Sequence, residues 1–234
     1  MTILLLVLLA FTMLRLGVAA FNGLSRQWLR PHEVEKKTTL SILIPARNEA
    51  GKIGRLLKNI VETHNVETHN YASLQILEIL VYDDQSDDGT DHEVLAMQAL
   101  DPRIRLIRGG NLPEGWLGKN HACHRLGEEA SGDWLLFLDA DVNVRPELFR
   151  DSVGFAVRKR LQLVSLFPVQ KLESAGEWLT VPLMNHILVS LLPMRLVRTC
   201  RWTSFAGANG QFMLFEGGTY KRYRWHEQVK SDPV

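Results

Sequence analysis

From Leu40 onward, short apolar runs alternate with stretches whose apolar residues recur every three or four positions. Leu40 to Ile44, Ile76 to Tyr82, Arg103 to Ile107, Trp134 to Leu138 and Leu161 to Phe167 read as strands, and a strand resumes over Gln211 to Phe215. Pro45 is expected to end the first of them. Between the strands lie helical patterns. Asn48-Glu49-Ala50 opens one in which Ile53, Leu56, Leu57 and Ile60 form an apolar stripe, and others fall near Asp88 to Leu100, Asn120 to Ala130 and Pro146 to Val157. This alternation predicts an α/β domain built on a mainly parallel sheet with helices on both faces.

Two apolar stretches fall outside that rhythm. Ile3 to Leu24, broken chiefly by Arg15 and Asn22, is long enough to span a bilayer. Arg26, Arg30, Lys36 and Lys37 follow it, so the positive-inside rule places its carboxyl flank in the cytoplasm. Val18-Ala19-Ala20 resembles a signal cleavage site, but no basic segment precedes the apolar run. The reading is an uncleaved transmembrane anchor over residues 1–24, a linker over 25–39 and a cytoplasmic domain over 40–234, held at the cell membrane by a single pass. The second stretch, Trp178 to Trp202, is interrupted by Pro182 and Pro193 and carries Arg195, Arg198 and Arg201. It reads either as a segment in the membrane interface that admits a lipid or as a helical insertion packed on the sheet. The exact repeat of Val61-Glu62-Thr63-His64-Asn65 as residues 66–70 reads as a lengthened surface loop, and its two histidines, His64 and His69, as loop residues rather than a metal clip.

Composition narrows the class. With 234 residues, 46% of them apolar, the chain has material for one sizeable core plus an anchor. Lys and Arg total 27 against 26 Asp and Glu, so no basic excess argues for nucleic acid. Cys123 and Cys200 fit no zinc or redox spacing, which suits a reduced, cytosolic compartment.

The candidate chemistry sits at strand ends. Trp134 to Leu138 runs straight into Asp139-Ala140-Asp141, and in an extended chain residues i and i+2 point the same way. The two carboxylates would emerge where open α/β sheets bind ligands, and they suit Mg²⁺ or Mn²⁺ carrying a phosphate-bearing substrate. Asp83 and Asp84 close another strand, where a carboxylate can accept the N–H of a nucleobase; Asp87 and Asp88 read as turn and cap residues. Lys119 follows a Gly-Trp-Leu-Gly turn and opens a helix. It either faces a phosphate or is an exposed first-turn lysine. His121, Cys123 and His124 crowd the same turn, yet Ala122, Cys123, Leu126 and Ala130 describe one helical face, so Cys123 reads as core rather than as a zinc ligand.

Ile44-Pro45-Ala46-Arg47-Asn48-Glu49, Val81-Tyr82-Asp83-Asp84-Gln85-Ser86-Asp87-Asp88-Gly89-Thr90 and Leu138-Asp139-Ala140-Asp141, in this order and spacing, resemble the family 2 glycosyltransferases, whose nucleotide-sugar domain has the GT-A fold. Gly115-Trp116-Leu117-Gly118-Lys119 and Gly207-Ala208-Asn209-Gly210-Gln211-Phe212 are similar to membrane-bound members acting on lipid-like acceptors such as carotenoids and hopanoids. The resemblance implies a nucleotide-sugar donor, a UDP-sugar above all. Pro45, Ala46, Arg47, Glu49, Asp84, Lys119 and Asp139 would bind it, with Asp141 and Asp139 holding Mg²⁺ or Mn²⁺. Trp116, Asn209, Gly210 and Gln211 would lie on the acceptor side.

The same resemblance implies a general base in a Glu-Asp type motif shortly after a helix like Gly218 to His226. The chain stops at Ser231-Asp232-Pro233-Val234, about where that motif would begin. The expectation is therefore a domain incomplete at its carboxyl end, with the base beyond Val234, Asp232 as the substitute among the residues present, and little activity without a continuation. The function read from the sequence is a membrane-anchored, metal-dependent, inverting sugar transferase acting on a lipid-like acceptor. A polyprenyl-phosphate sugar transferase and a non-catalytic nucleotide-sugar-binding remnant are the alternatives. Glycoside hydrolysis is disfavoured because it requires two carboxylates flanking a sugar and no nucleotide pocket.

Overall fold

Strand β1 (Thr38–Ala46) is the centre of the fold because every residue from Leu40 to Ile44 is buried, as a strand covered on both faces requires. The computed structural model describes residues 1–25, 29–34, 36–70, 73–145, 147–172, 174–200, 202 and 207–232, and within these not the side chains of 64–70, 184, 185 and 198. Arg26, Pro146, Arg201, Pro233 and Val234, and the side chains of His64, His69 and Arg198, thus lie outside the described residues. Two compact units emerge, Leu29–Pro168 with Asn209–Val234, and Met1–Trp28 with Val169–Ala208.

The larger unit holds a six-stranded sheet in the order β3-β2-β1-β4-β6-β5, made of β1, β2 (Leu74–Asp83), β3 (Ile104–Arg108), β4 (Trp134–Leu138), β5 (Leu163–Ser165) and β6 (Phe212–Glu216). The first four pair in parallel; β6 runs antiparallel between β4 and β5. Alternation along β1 sends Leu40, Ile42 and Ile44 into one core and Leu43 into the other. Against the first core pack α2 (Ile53–Asn70), α3 (Thr90–Leu100) and α5 (Leu148–Lys159), through Ile53, Leu56, Leu57, Ile60, Val94, Phe149 and Val153. Against the second pack α4 (Gly118–Glu129) and α8 (Gly217–Tyr223), through Ala122, Cys123, Leu126 and Tyr220, followed by the short α9 (Trp225–Gln228). Each fully buried leucine or isoleucine here contributes roughly 1.5–3 kcal/mol, so the sheet and these helices carry the fold.

Four expectations are corrected. Pro45 does not end β1, which runs on to Ala46. Ala46 O accepts from Asp84 on the β2 side, so the missing Pro45 N–H falls on the opposite side, where pairing with β4 stops at Leu43. Asn48-Glu49-Ala50 does not open the helix: Asn48 is left-handed (φ 56°), and α2 starts at Ile53. Ile53 N donates to Glu49 O, and Gly51 N just before the helix and Gly54 N in its first turn donate to Glu93 at 2.7 and 3.0 Å. The repeated segment over 61–70 is helix, not loop. Neither copy contains Gly or Pro, so nothing in it stops α2. Finally, the strand expected over Leu161 to Phe167 shrinks to Leu163–Ser165, an edge strand that among the described residues pairs only with the antiparallel β6.

The smaller unit contains α1 (Thr2–Ser25), α6 (Ala175–Leu191) and α7 (Met194–Thr199). α1 has 24 residues with none buried, and is long and apolar enough to cross a membrane. Pro182 sits inside α6 without ending it, and Ser174 and Glu177 form a capping box at its start.

Candidate active site

The carboxyl ends of β2, β1 and β4 lie side by side, so Asp84, Pro45 to Arg47 and Asp139 to Asp141 converge on one edge of the sheet. There they line a cleft of about 330 Å³, closed by Glu49, Gly118, Lys119 and Ala122. All eight residues expected to bind donor or metal, from Pro45 to Asp141, thus border one space. Gly118 and Ala140 had no site role in the sequence reading, and Ala122 was read only as part of an apolar helical face. Small side chains there keep the cleft open, a requirement that residue type alone does not announce. A Cβ on Gly118 would stand 2.9 Å from Asp84 Oδ2, so glycine lets the start of α4 approach that carboxylate.

The charges are arranged in opposed pairs. Asp84 is 7% exposed, with Arg47 Nη1 3.4 Å from its Oδ2; the guanidinium itself is exposed. Lys119 Nζ lies 2.7 Å from Asp139 Oδ1, so its ammonium faces into the cleft already paired. Asp141 is exposed and has no ion-pair partner among the described residues. Lys52 Nζ binds Glu49 Oε2 at 2.9 Å, and that contact, with the Asp141 carboxylate nearby, raises its ammonium above the usual lysine value.

Among the described residues no group of three or more His, Cys, Asp or Glu side chains is placed to hold a metal. Asp139 and Asp141, two hard carboxylates on one cleft wall, fit Mg²⁺ or Mn²⁺ and would supply part of its oxygen ligands. They do not fit a cation caged by protein alone.

The acceptor-side expectations separate. Trp116 packs on the rings of His124 and His121, with centroids at 4.9 and 5.5 Å, and does not line the cleft. Asn209 to Gln211 brace the loop that begins at Asp139. Asp139 N donates to Gln211 O at 3.2 Å, Gln211 N to Asn209 Oδ1 at 2.8 Å, and Asn209 N to Ser165 Oγ at 2.7 Å. Gly210 borders a cavity of about 10 Å³, near the space of one water, beside Lys119, Asp139, Cys123 and His226. Burial pushes the Cys123 thiol up to about 12, which makes it an inert core residue.

Asn120, which sequence reasoning assigned no role, is 1% exposed and donates through Nδ2 to Val229 O at 2.6 Å and Asp232 O at 2.8 Å. Together with Leu117 N donating to Lys230 O, it brings the backbone at Asp232 to the start of α4, next to Lys119. An asparagine after a lysine carries no sequence signal of such a bond.

His226 closes this corner, with Tyr220 Oη 2.7 Å from its Nδ1 and the Phe137 ring tilted against it at a centroid distance of 4.7 Å. Burial, reinforced by nearby His124 and Lys119, brings its imidazole down to about 4. A depressed histidine value means that the unfolded chain binds a proton the native state refuses, so stability is full above about pH 6.5 and is lost as pH falls toward 4. Thermal melting across that window is expected to fall less steeply in His226→Gln than in the parent. Parallel slopes would show that His226 does not carry the acid sensitivity.

Residues 41–217 match the family described as Glycosyl transferase family 2. A 4,4'-diaponeurosporenoate glycosyltransferase of Staphylococcus haemolyticus is 26% identical over 188 residues, which are 80% of this chain and 44% of the relative. The protein of that name from Staphylococcus aureus strain USA300 is 30% identical over 119 residues, 48% of this chain and 28% of the relative. Among solved structures, a mannosyltransferase from Pyrobaculum calidifontis in complex with GDP-Man and Mn²⁺ has a TM-score of 0.58 at 21% identity, covering 92% of this chain and 56% of that one. TarS residues 1–349 from Staphylococcus aureus, in complex with UDP, has a TM-score of 0.55 at 14% identity, covering 83% and 52%. These two likenesses concern the fold. The chain spans less than half the length of the curated relatives it matches.

Proposed function

Since the chain belongs to glycosyl transferase family 2 and has a GT-A-like sheet, we propose that its cleft binds a nucleoside diphosphate sugar, a UDP-sugar first among them, for transfer to a hydroxyl of a carotenoid-like lipid. The observation that carries this reading is the meeting of Asp84, Lys119, Asp139 and Asp141 around one cleft at the carboxyl edge of the parallel strands. The acceptor follows the names of the curated relatives. The apolar α1 is proposed as the membrane anchor that brings the domain to such a lipid, on the cytosolic side given by the basic residues after it.

In this reading Asp84 accepts N–H groups of the base, and Pro45 to Arg47 form the wall beside it. Asp139 and Asp141 would hold Mg²⁺ or Mn²⁺, which supplies charge neutralisation for the departing diphosphate. Lys119 places a second positive charge beside that oxygen-rich group. The bond from the sugar's anomeric carbon to the diphosphate breaks, a bond from that carbon to the acceptor oxygen forms on the opposite face, and the acceptor proton passes to a carboxylate. Asp232, whose backbone carbonyl Asn120 holds near the start of α4, is the candidate for that carboxylate among the residues in hand.

Calorimetric titration of the full chain with UDP-glucose and with GDP-mannose, in Mn²⁺ and in chelator, tests the donor site. Binding of at least one donor that requires the cation is the expected result. Equal affinity in chelator removes the metal from the reading, and no binding of either donor removes the donor site.

A further inference from the structure

Arg15 and Asn22, the polar interruptions of α1, are both committed to α6. Arg15 Nε and Nη2 donate to Ser190 Oγ at 3.1 and 2.8 Å, and Ser190 is 2% exposed. Asn22 Nδ2 donates to Val189 O at 2.7 Å and Leu192 O at 2.8 Å, while its Oδ1 accepts from Met194 N at 2.8 Å. Val189 O and Leu192 O are carbonyls left over where α6 ends at Leu191, Met194 N is the first N–H of α7, and Pro193 between them has no N–H to offer. In water such groups are solvated freely. In hydrocarbon each must find a partner within the protein.

The rest of α6 agrees with an apolar setting. Trp178, Leu179 and Leu183 are 65%, 79% and 57% exposed, and Ile187, Val189 and Leu191 add to the same uncovered surface. Most of α6 is apolar, with Glu177 and Thr180 near its start and His186 exposed further along, and little of it is covered by its own unit; a helix apolar over most of its circumference belongs in a protein core or in lipid. The depth follows from α1. Arg15 lies ten residues before Ser25, about 15 Å along the helix axis, which is near the middle of a hydrocarbon layer of about 30 Å. By the same measure Asn22 lies about 4.5 Å in, so a helix end bonded to both residues runs from the outer part of that layer toward its middle.

We infer that α6 is a second bilayer-embedded helix, docked on α1 through Arg15 and Asn22, with its uncovered face against lipid acyl chains. The inference rests on the reading of α1 as the membrane anchor. It gives the two polar residues that blemish the span a single purpose, which is to complete the end of a neighbouring helix where water is absent. It also turns the ambiguous stretch from Trp178 into a lipid-contacting surface.

The full chain in a Cys200→Ser background, its buried Cys123 being unreactive, is given one added cysteine at a time, Leu8→Cys in α1 or Leu183→Cys in α6. Each is labelled with nitrobenzoxadiazole and reconstituted in phosphatidylcholine vesicles. The expected result is loss of emission from both labels with nitroxide on the acyl chains, and no loss with aqueous iodide. Acyl quenching at Leu8 with iodide quenching at Leu183 overturns the inference and leaves the anchor standing. Iodide quenching at both sites removes the anchor, and the inference with it. Protection of Leu183 from both quenchers indicates cover by protein and also overturns the inference. For the docking contacts, a label at Leu191→Cys is expected to become open to iodide when Arg15→Leu and Asn22→Leu are combined. Unchanged protection would show that these side chains do not hold α6.

Discussion

Donor affinity in Mn²⁺ is expected to fall to its level in chelator when Asp141 is replaced by alanine. Asp141 has no ion-pair partner among the described residues, so its carboxylate is fully available as a ligand, whereas Asp139 shares its charge with Lys119 at 2.7 Å. Disturbing groups that merely orient a ligand costs about 10–100-fold in metal affinity, so removing a direct ligand is expected to cost at least the upper end of that range. Asp139→Ala is expected to do less harm to donor binding, because it also frees the Lys119 ammonium for the diphosphate. Titration with a nucleoside diphosphate sugar at several Mn²⁺ concentrations measures both. Metal dependence that survives Asp141→Ala but not Asp139→Ala would reverse the assignment.

Gly127→Ala is expected to be the most damaging small substitution in the fold. Alanine improves helix propensity by about 1 kcal/mol over glycine. Here, however, its Cβ would press into the Tyr220 ring, 2.6 Å from Cζ and 2.7 Å from Oη. The ring has no room to yield. Phe137 and Phe215 lie at centroid distances of 5.3 Å, Trp225 at 6.2 Å, and its hydroxyl is bonded to His226. Overpacking of this kind costs about 1–3 kcal/mol or more, and with a partner so confined the upper end applies. At about 2–4 °C per kcal/mol for a domain of this size, Tm is expected to drop by roughly 5–10 °C. Gly110→Ala, which meets nothing within 4 Å, is the control expected to change little. An undiminished Tm for Gly127→Ala would mean that α4 and α8 slide apart at little cost.

The central strand and the site were legible for the same reason. Trp134 to Leu138 is an unbroken apolar run ending in two acids, and its length, direction and site were all readable from that alone. Pro45, Asp84 and Asp139 converge because parallel strands present their carboxyl ends together, which follows from topology and needs no contact information. What was hidden depends on partners far away in sequence. Nothing in Phe212 to Glu216 announces that it runs antiparallel beside β4 rather than at an edge. Trp116, placed on the acceptor side by resemblance, packs its ring on His124, a contact that its position in the sequence does not announce. Residues 61–70 were misread because a repeat suggests an insertion, and insertions usually enlarge loops; this one lengthens α2.

The position of β6 has a consequence for how the protein is made. Among the described residues β6 is the sole partner of β5, and it covers the open edge of β4, but it leaves the ribosome after both of them. Between β5 and β6 lie residues 169–208, the greater part of the unit that also contains α1. At synthesis rates of about 5–20 residues per second, the nascent sheet waits on the order of several seconds with a fully apolar strand unzipped along one side. An uncovered strand edge is a template for pairing with another chain, so this interval is when the protein is most prone to aggregate. Slowing translation between Phe167 and Phe212 would lengthen that exposure without changing a single residue of the finished molecule.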